Sequence, residues 1–333
     1  MGLLSALYNL GLSCRTFGYK HFKKPGRLPV KVVSIGNITL GGTGKTPAVI
    51  RLAEEAGKRG FSPCILTRGY KGKAKENCFV SRGEGPVLDV DEAGDEAYLM
   101  AGKLKGIAVV KGRRRYEAGL FALSNLEHKP SLMILDDGFQ HIALARDIDV
   151  VLIDGTKPFG DEKIFPEGRL REPLHALKRA DYVIITKSDN AAEDALTNIR
   201  NNITSINPEL PVYMSSHQPL RLINISGKTK ELSYLENRKV LAFAGIANTS
   251  YFKSTIKTCG AVIAGFHRYR DHHVYSVKDI EKLKQDAAGL DILTTEKDFV
   301  KLKDLNVPDN LFALSIDFSV DNAFFDSIFR RLE

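Results

Sequence analysis

The sequence predicts an α/β protein with a larger parallel-sheet core and a second, smaller α/β domain. Three observations carry this prediction. Short apolar, β-branched runs alternate with segments of helical apolar spacing along most of the 333 residues, the pattern of parallel strands joined by crossover helices. The run Val32-Val33-Ser34-Ile35 leads through Gly36-Asn37-Ile38-Thr39-Leu40-Gly41-Gly42-Thr43-Gly44 into Lys45-Thr46-Pro47 and a helical pattern at Ala48, Val49, Leu52, Ala53 and Ala56, so strand, glycine-rich turn and helix follow one another. After a polar stretch, the strand–helix alternation starts afresh at residue 240. An apolar share of 43% supports real cores at this length.

The expected organisation is an amino-terminal segment at 1–27, a core domain at 28–214, a linker at 215–239 and a smaller domain at 240–333. In the first segment Leu3, Leu4, Leu7, Tyr8, Leu10, Leu12 and Phe17 precede Arg15, Lys20, Lys23, Lys24 and Arg27. This stretch is too short to span a bilayer and lacks the basic start and small-residue cleavage site of a signal peptide. Two readings stay open, an amphipathic helix in a membrane interface or a helix docked on the protein's own core. The glycine-rich turn that follows is a phosphate loop: Gly41, Gly42, Thr43 and Gly44 offer backbone N–H groups, Lys45 can reach β- and γ-phosphates, and Thr46 can hold Mg²⁺. The core is therefore expected to be P-loop nucleotidase-like. Thr39 stands where the eight-residue pattern has its first glycine, and Leu40 where one branch of these proteins has an extra lysine.

Cys64-Ile65-Leu66-Thr67 reads as a buried strand, and Arg68-Gly69-Tyr70-Lys71-Gly72 as a basic loop at its carboxyl end, where α/β sheets place ligands. Asp89, Asp91, Glu92, Asp95 and Glu96 open an acidic helix, for which capping is the simpler reading and a catalytic Asp95 the sharper one. Three arginines at 113–115 begin another helix against its dipole and call for an anionic neighbour. The strand at 131–135 ends in Asp136-Asp137, a Walker-B-like pair suited to Mg²⁺ beside a phosphate loop. Residues 149–154 and 182–186 are further buried strands, separated by a proline-bounded polar loop at 165–173. Thr186-Lys187-Ser188-Asp189 is similar to the guanine-reading tetrad of GTPases, which leaves GTP open. In the second domain, strands at 240–243, 261–266 and 291–294 alternate with helices at 250–258 and 277–288. Asp271-His272-His273 lies between them, a solvent-facing pair in the simplest reading and a general base in the sharper one.

A formal charge of +8 points to an anionic partner. The basic residues cluster at loops around the phosphate site and form no recognition motif, so nucleic acid is not expected. Four scattered cysteines without pairing or metal-ligand spacing fit a reduced compartment.

Taken in order, Gly36-Asn37-Ile38-Thr39 with Gly41-Gly42-Thr43-Gly44-Lys45-Thr46-Pro47, Thr67-Arg68-Gly69-Tyr70, Gly94-Asp95-Glu96, Asp136-Asp137-Gly138-Phe139-Gln140-His141, Gly168-Arg169-Leu170-Arg171-Glu172-Pro173, Phe243-Ala244-Gly245-Ile246 and Asp271-His272-His273 form a series. That series resembles the tetraacyldisaccharide 4'-kinase family of the lipid A pathway in Gram-negative bacteria. The resemblance implies transfer of the ATP γ-phosphoryl group to the 4'-hydroxyl of a tetraacylated disaccharide 1-phosphate, giving lipid IVA. It implies ATP held by residues 41–46, Mg²⁺ near Thr46, Asp136, Asp137 and Glu172, and Asp95 as base paired with His272. Tyr70, Arg115, Gln140, His141 and Arg171 become substrate or phosphate contacts on the same basis. It also implies a lipid disaccharide substrate, attachment to the cytoplasmic face of the inner membrane through the amino-terminal helix, and no obligate protein partner. The site is expected between the domains, closure bringing His272 toward Asp95. Arg268-Tyr269-Arg270 departs from the Phe-Pro that many relatives carry before the Asp-His motif. A GTPase of the metallochaperone or protein-targeting type and a nucleotide-gated membrane-binding module are the competing readings.

Overall fold

The computed structural model describes residues 2–160 and 162–333; Met1 of the amino-terminal segment and the side chain of Lys20, one of its basic residues, lie outside the described residues. The chain begins with helix α1 (Leu3–His21) and enters the sheet at β1 (Lys31–Asn37). Helix α2 (Lys45–Lys58) follows, its Ala48, Val49, Leu52, Ala53 and Ala56 buried at the predicted helical spacing. Then come β2 (Pro63–Thr67), β3 (Cys78–Ser81), the short α3 (Val90–Ala93), α4 (Asp95–Lys103), β4 (Ala108–Lys111), α5 (Arg115–Asn125), β5 (Leu132–Asp136) and β6 (Ile148–Asp154). β7 (Tyr182–Thr186), α6 (Glu193–Ile206) and β8 (Val212–Asn224) complete the first half. β1, β5, β6 and β7 are buried almost throughout, so their sequences read as continuous apolar runs.

The second half contains β9 (Thr229–Lys230), β10 (Lys239–Ala244), α7 (Thr249–Thr258), β11 (Val262–Arg268), α8 (Val277–Ala287), β12 (Asp291–Thr295), α9 (Glu296–Phe299), β13 (Leu311–Val320) and α10 (Asn322–Leu332). Among the described residues, thirteen strands form one continuous sheet in the order β11-β10-β12-β13-β8-β7-β6-β1-β5-β2-β4-β3, with β9 attached to β8. The architecture is the expected α/β one, with parallel pairing throughout the centre of the first half.

Two segments differ from expectation. The stretch 215–239, expected as a linker, carries β8 onward: its first residues pair parallel with β7, and Ser215 to Asn224 then pair antiparallel with β13. The two halves thus share a sheet. β8 is only partly buried here and holds polar residues, so it lacks the apolar run that marks the central strands. Residues 318–332, expected in the smaller domain, return to the first half. Phe318, Phe324, Phe325 and Phe329 join the core formed with α2 and the central strands, and Arg59 donates to Asp326 at 2.6 Å.

Helix α1 lies on the first half by one face only. Ser5 Oγ donates to the Ile164 carbonyl (2.8 Å) and the Tyr8 hydroxyl to the Arg171 carbonyl (3.2 Å). Leu3, Leu7, Leu10 and Phe17, on one helical stripe, remain 77%, 56%, 60% and 55% exposed. Among the described residues no helix is long and apolar enough to cross a membrane.

Candidate active site

The carboxyl end of β1 sets the site. The Asn37 side-chain amide donates to the Thr39 carbonyl (2.7 Å) and to Thr43 Oγ1 (3.0 Å), tying the phosphate loop to its strand. Neighbours hold the loop's carbonyls from outside: Thr186 Oγ1 donates to Thr43 O (3.0 Å), Lys187 Nζ to Gly42 O (2.7 Å) and Arg169 Nη2 to Leu40 O (2.7 Å). Gly44 caps α2 at φ 83°, and a Cβ there would lie 2.7 Å from His217 Nε2, so only glycine fits. Thr39, in the place of the usual first glycine, bridges to Leu170.

Behind the loop, β5 delivers Asp136 and Asp137. Lys45 Nζ is 3.4 Å from Asp137 Oδ1, and Arg171 Nη1 donates to both Asp137 oxygens at 2.8 Å. Burial works to raise the Asp137 carboxyl, but Lys45 and Arg171 outweigh it and hold it at about 2. Asp136 is pushed up to about 6, first by burial and then by the nearby Glu96 and Asp137 carboxylates. Thr67 Oγ1 donates to its Oδ2 at 2.8 Å, while Oδ1 is buried without a partner. That orphaned oxygen and Thr46 line the same cleft, hard oxygen donors of the kind a divalent cation takes, although the described residues form no cluster of three or more carboxylate, histidine or cysteine ligands.

Another part of the cleft wall carries His272, paired with Asp95. His272 Nδ1 lies 2.8 Å and 3.0 Å from the two Asp95 oxygens, although the residues come from different halves. Asp95 sits in the first turn of α4, where the helix dipole favours an anion. Burial opposes its ionisation, but His272 and Lys297 more than compensate and keep the carboxyl below its usual range. Asp95 is turned toward the imidazole, and its Oδ1 also accepts the Glu96 N–H (2.9 Å). The His272 loop is pinned by its N–H to the Gly245 carbonyl (3.2 Å). Tyr269, in place of the Phe-Pro pattern, stacks on His273 at 4.5 Å.

A cleft of about 1290 Å³ runs between these walls, lined by the phosphate loop, Tyr70, Asp136, Asp137, Arg171 and His272. Tyr70 meets the His272 ring edge-on at 5.2 Å. Other expected site residues are turned elsewhere. Glu172 does not line the cleft; Arg179 donates to both its oxygens (2.9 and 3.1 Å), a pair that satisfies the carboxylate without a metal. Arg115 is buried and donates to the Gly112 and Asp136 carbonyls (3.1 and 3.2 Å), bracing the Asp136 strand end, and Gln140 donates to the Asn37 carbonyl (2.9 Å). His141 Nε2 accepts the Arg115 backbone N–H (3.3 Å). Burial and then Arg115, Arg15, Arg146 and Arg68 push His141 down to about 4, so it is neutral. Asp189 is exposed, takes a hydrogen bond from Asn190 (2.9 Å) and lies outside the cleft, so the tetrad braces the phosphate loop through Lys187 and presents no guanine-reading aspartate.

Sequence reasoning missed Glu96 and Lys297 as cleft residues. They face each other across the halves at 3.1 Å, and neither has a motif apart from its neighbour. The model for the Tetraacyldisaccharide-1-P 4'-kinase family matches residues 1–333. The tetraacyldisaccharide 4'-kinase of Halothermothrix orenii is 36% identical over 345 residues, covering 96% of this chain and 88% of that protein. The one from Syntrophus aciditrophicus is 40% identical over 313 residues, covering 90% and 83%. Among solved structures, the "apo" form of LpxK from Aquifex aeolicus in complex with ATP aligns with a TM-score of 0.78 at 32% identity, over 99% of this chain and 98% of that one. With a match over its whole length and relatives this similar, the chain belongs to the tetraacyldisaccharide 4'-kinase family.

Proposed function

We propose that the protein transfers the γ-phosphoryl group of ATP to the 4'-hydroxyl of a tetraacylated glucosamine disaccharide 1-phosphate, forming lipid IVA, and that it does so at the cytoplasmic face of the inner membrane. The observation that carries the reading is the Asp95–His272 pair, 2.8 Å apart, on the wall of the cleft opposite Lys45 and Asp136. A kinase for a sugar hydroxyl needs a proton acceptor there, whereas a nucleotide hydrolase needs only a positioned water.

The loop of residues 41–46 binds the triphosphate, and Lys45, now paired with Asp137, moves its charge to the β- and γ-oxygens. Thr46 and Asp136 would hold Mg²⁺, which when bound would neutralise charge developing on the phosphates. As the 4'-oxygen bonds to the γ-phosphorus, its proton passes to His272 Nε2, and the bond from that phosphorus to the bridging oxygen breaks to release ADP. Asp95 holds the ring and stabilises the imidazolium. Arg171 and Tyr70 line the path of the acceptor.

The exposed Leu3–Leu7–Leu10–Phe17 stripe and the basic residues after it support attachment of α1 in the membrane interface, which would bring the cleft to a lipid headgroup. The test is phosphotransfer from γ-labelled ATP to tetraacyldisaccharide 1-phosphate in detergent micelles. Label on the lipid, lost in His272→Ala and Lys45→Ala, is expected. Nucleotide hydrolysis with no labelled lipid would overturn the reading.

A further inference from the structure

Lys297 occupies a position that the proposed phosphotransfer does not use. It projects from α9 into the cleft, and its ammonium has three neighbours: Glu96 Oε1 at 3.1 Å, Asp271 Oδ1 at 3.3 Å and His272 Nε2 at 3.4 Å. Three donors thus meet two carboxylates and one ring nitrogen. The scaffold under it is stiff. Asp298, fully buried, accepts from the Gly245 N–H (2.9 Å), Thr295 Oγ1 (2.8 Å) and Lys301 (2.7 Å), fixing α9 against the loop that carries His272.

We propose that Lys297 is a positioning residue that, together with Asp95 on Nδ1, holds His272 in one tautomer, donating to Nε2 so that the ring proton resides on Nδ1. A lysine ammonium cannot accept a hydrogen bond, so a ring nitrogen facing it must present its lone pair. Nε2 is thereby kept unprotonated, the form a general base requires. When the acceptor hydroxyl arrives, Lys297 surrenders this one contact and is retained by Glu96 and Asp271, while the hydroxyl proton goes to the freed lone pair. Burial acts against the Lys297 charge, but Glu96, Asp95 and Asp271 outweigh it and raise its pKa, so it stays an ammonium through neutral pH. The charged or titratable groups against His272 are Asp95 from α4, Asp271 beside it, Lys297 from α9 and Tyr70 from the loop after β2; Glu96 lies behind Lys297, and Lys301 acts on Asp95.

The catalytic part of this inference rests on the phosphotransfer reading, and two measurements separate the fates of the two. ¹⁵N NMR of histidine-labelled protein at pH 7.5 reports the tautomer without any turnover; Nδ1–H with unprotonated Nε2 is expected for His272, assigned by loss of its signals in His272→Ala. An Nε2–H tautomer in the wild type overturns the inference. The second measurement is the pH profile of kcat with ATP and acceptor saturating. In Lys297→Met the acid limb should move up by about one pH unit, because one neighbouring positive charge that disfavours protonation is gone. Lys297→Arg should restore the wild-type limb even where its kcat is lower. A lowered kcat with an unmoved acid limb would make Lys297 a mere brace and overturn the inference. If Lys297→Met does not fold, Lys297→Gln and the wild-type tautomer decide. Absence of lipid labelling by the wild type sinks the phosphotransfer reading, and the NMR result still stands or falls by itself.

Discussion

Replacing Asp136 with asparagine should stabilise the protein while abolishing phosphotransfer. The carboxyl is buried, its Oδ1 has no partner, and its pKa is pushed up to about 6 from 3.8. A group whose pKa is raised on folding destabilises the fold once it is ionised: the cost is absent below pH 3.8, grows through the interval and is complete above about pH 6. A shift of roughly two units is worth about 3 kcal/mol at pH 8, falling to about 1.5 kcal/mol at pH 5. Asparagine removes the charge and keeps an oxygen for Thr67, which donates at 2.8 Å, so most of this should be recovered. With about 2.1 cal/mol/K of unfolding entropy per residue over 333 residues, 3 kcal/mol corresponds to about 4 °C in Tm. Thermal melts of Asp136→Asn and wild type in metal-free buffer, at pH 5 and pH 8, measure it directly. A gain that is larger at pH 8 is expected. A variant that melts at or below the wild type at pH 8 would refute the claim that a partnerless carboxylate is held there ready for a cation.

Lys187→Met should destabilise by about 3 kcal/mol and raise KM for ATP, because it strands the buried Asp154 carboxylate and frees the Gly42 carbonyl. Thr156 still donates to Asp154 at 2.6 and 2.9 Å, which places the effect at the low end of its range, and Lys187→Met with Asp154→Asn should melt higher than Lys187→Met alone by urea titration. Gly44→Ala meets a φ of 83° and His217 Nε2 at 2.7 Å, so ATP affinity by equilibrium dialysis should fall more than tenfold and the melting temperature should fall as well, by the equivalent of about 1–2 kcal/mol or more. Leu7→Asp with Leu10→Asp should abolish flotation with anionic vesicles and leave kcat on micellar acceptor within a factor of about two, since both side chains point away from the protein.

What could be read from the sequence follows from where the determinants lie. The phosphate loop and Asp136-Asp137 were legible because each is a contiguous run placed by a strand end, and burial on both faces made those strands apolar throughout. β8 was not, since a half-exposed strand shared by two halves carries polar residues at the positions that betray a central one. Asp95 and His272, 177 positions apart, could be paired only through the resemblance; spacing alone left one as a cap and the other as a surface histidine. Glu172 entered only through the resemblance, and a motif says nothing of the partner that the fold brings to it, here Arg179. Lys297 was invisible for the complementary reason, that its three partners come from two distant stretches.

Four polar cross-half contacts come from one helix, and that convergence explains why the Asp95–His272 pair is built at an amino terminus. Asp95 reaches His272, Glu96 reaches Lys297, Lys103 reaches Glu296 at 2.7 Å, and the Tyr98 hydroxyl accepts from Lys303 at 2.7 Å, all from α4. Two adjacent carboxylates at 95 and 96 would ordinarily repel one another and resist burial. At the first turn of α4 they share the positive end of the helix dipole, and the second half supplies a histidine and a lysine against them. Both carboxylates thus find their partners on the other half, and His272 and Lys297 outweigh burial to hold the Asp95 carboxyl below its usual range. Phe318 to Leu332 return to the first-half core, and β8 and β13 pair antiparallel across the junction, so any opening must bend that ribbon or slide α4 past α9. In the reaction proposed above, the base is thus assembled by contacts that also hold the halves together, which would couple proton acceptance to exclusion of water from the transferring phosphoryl group.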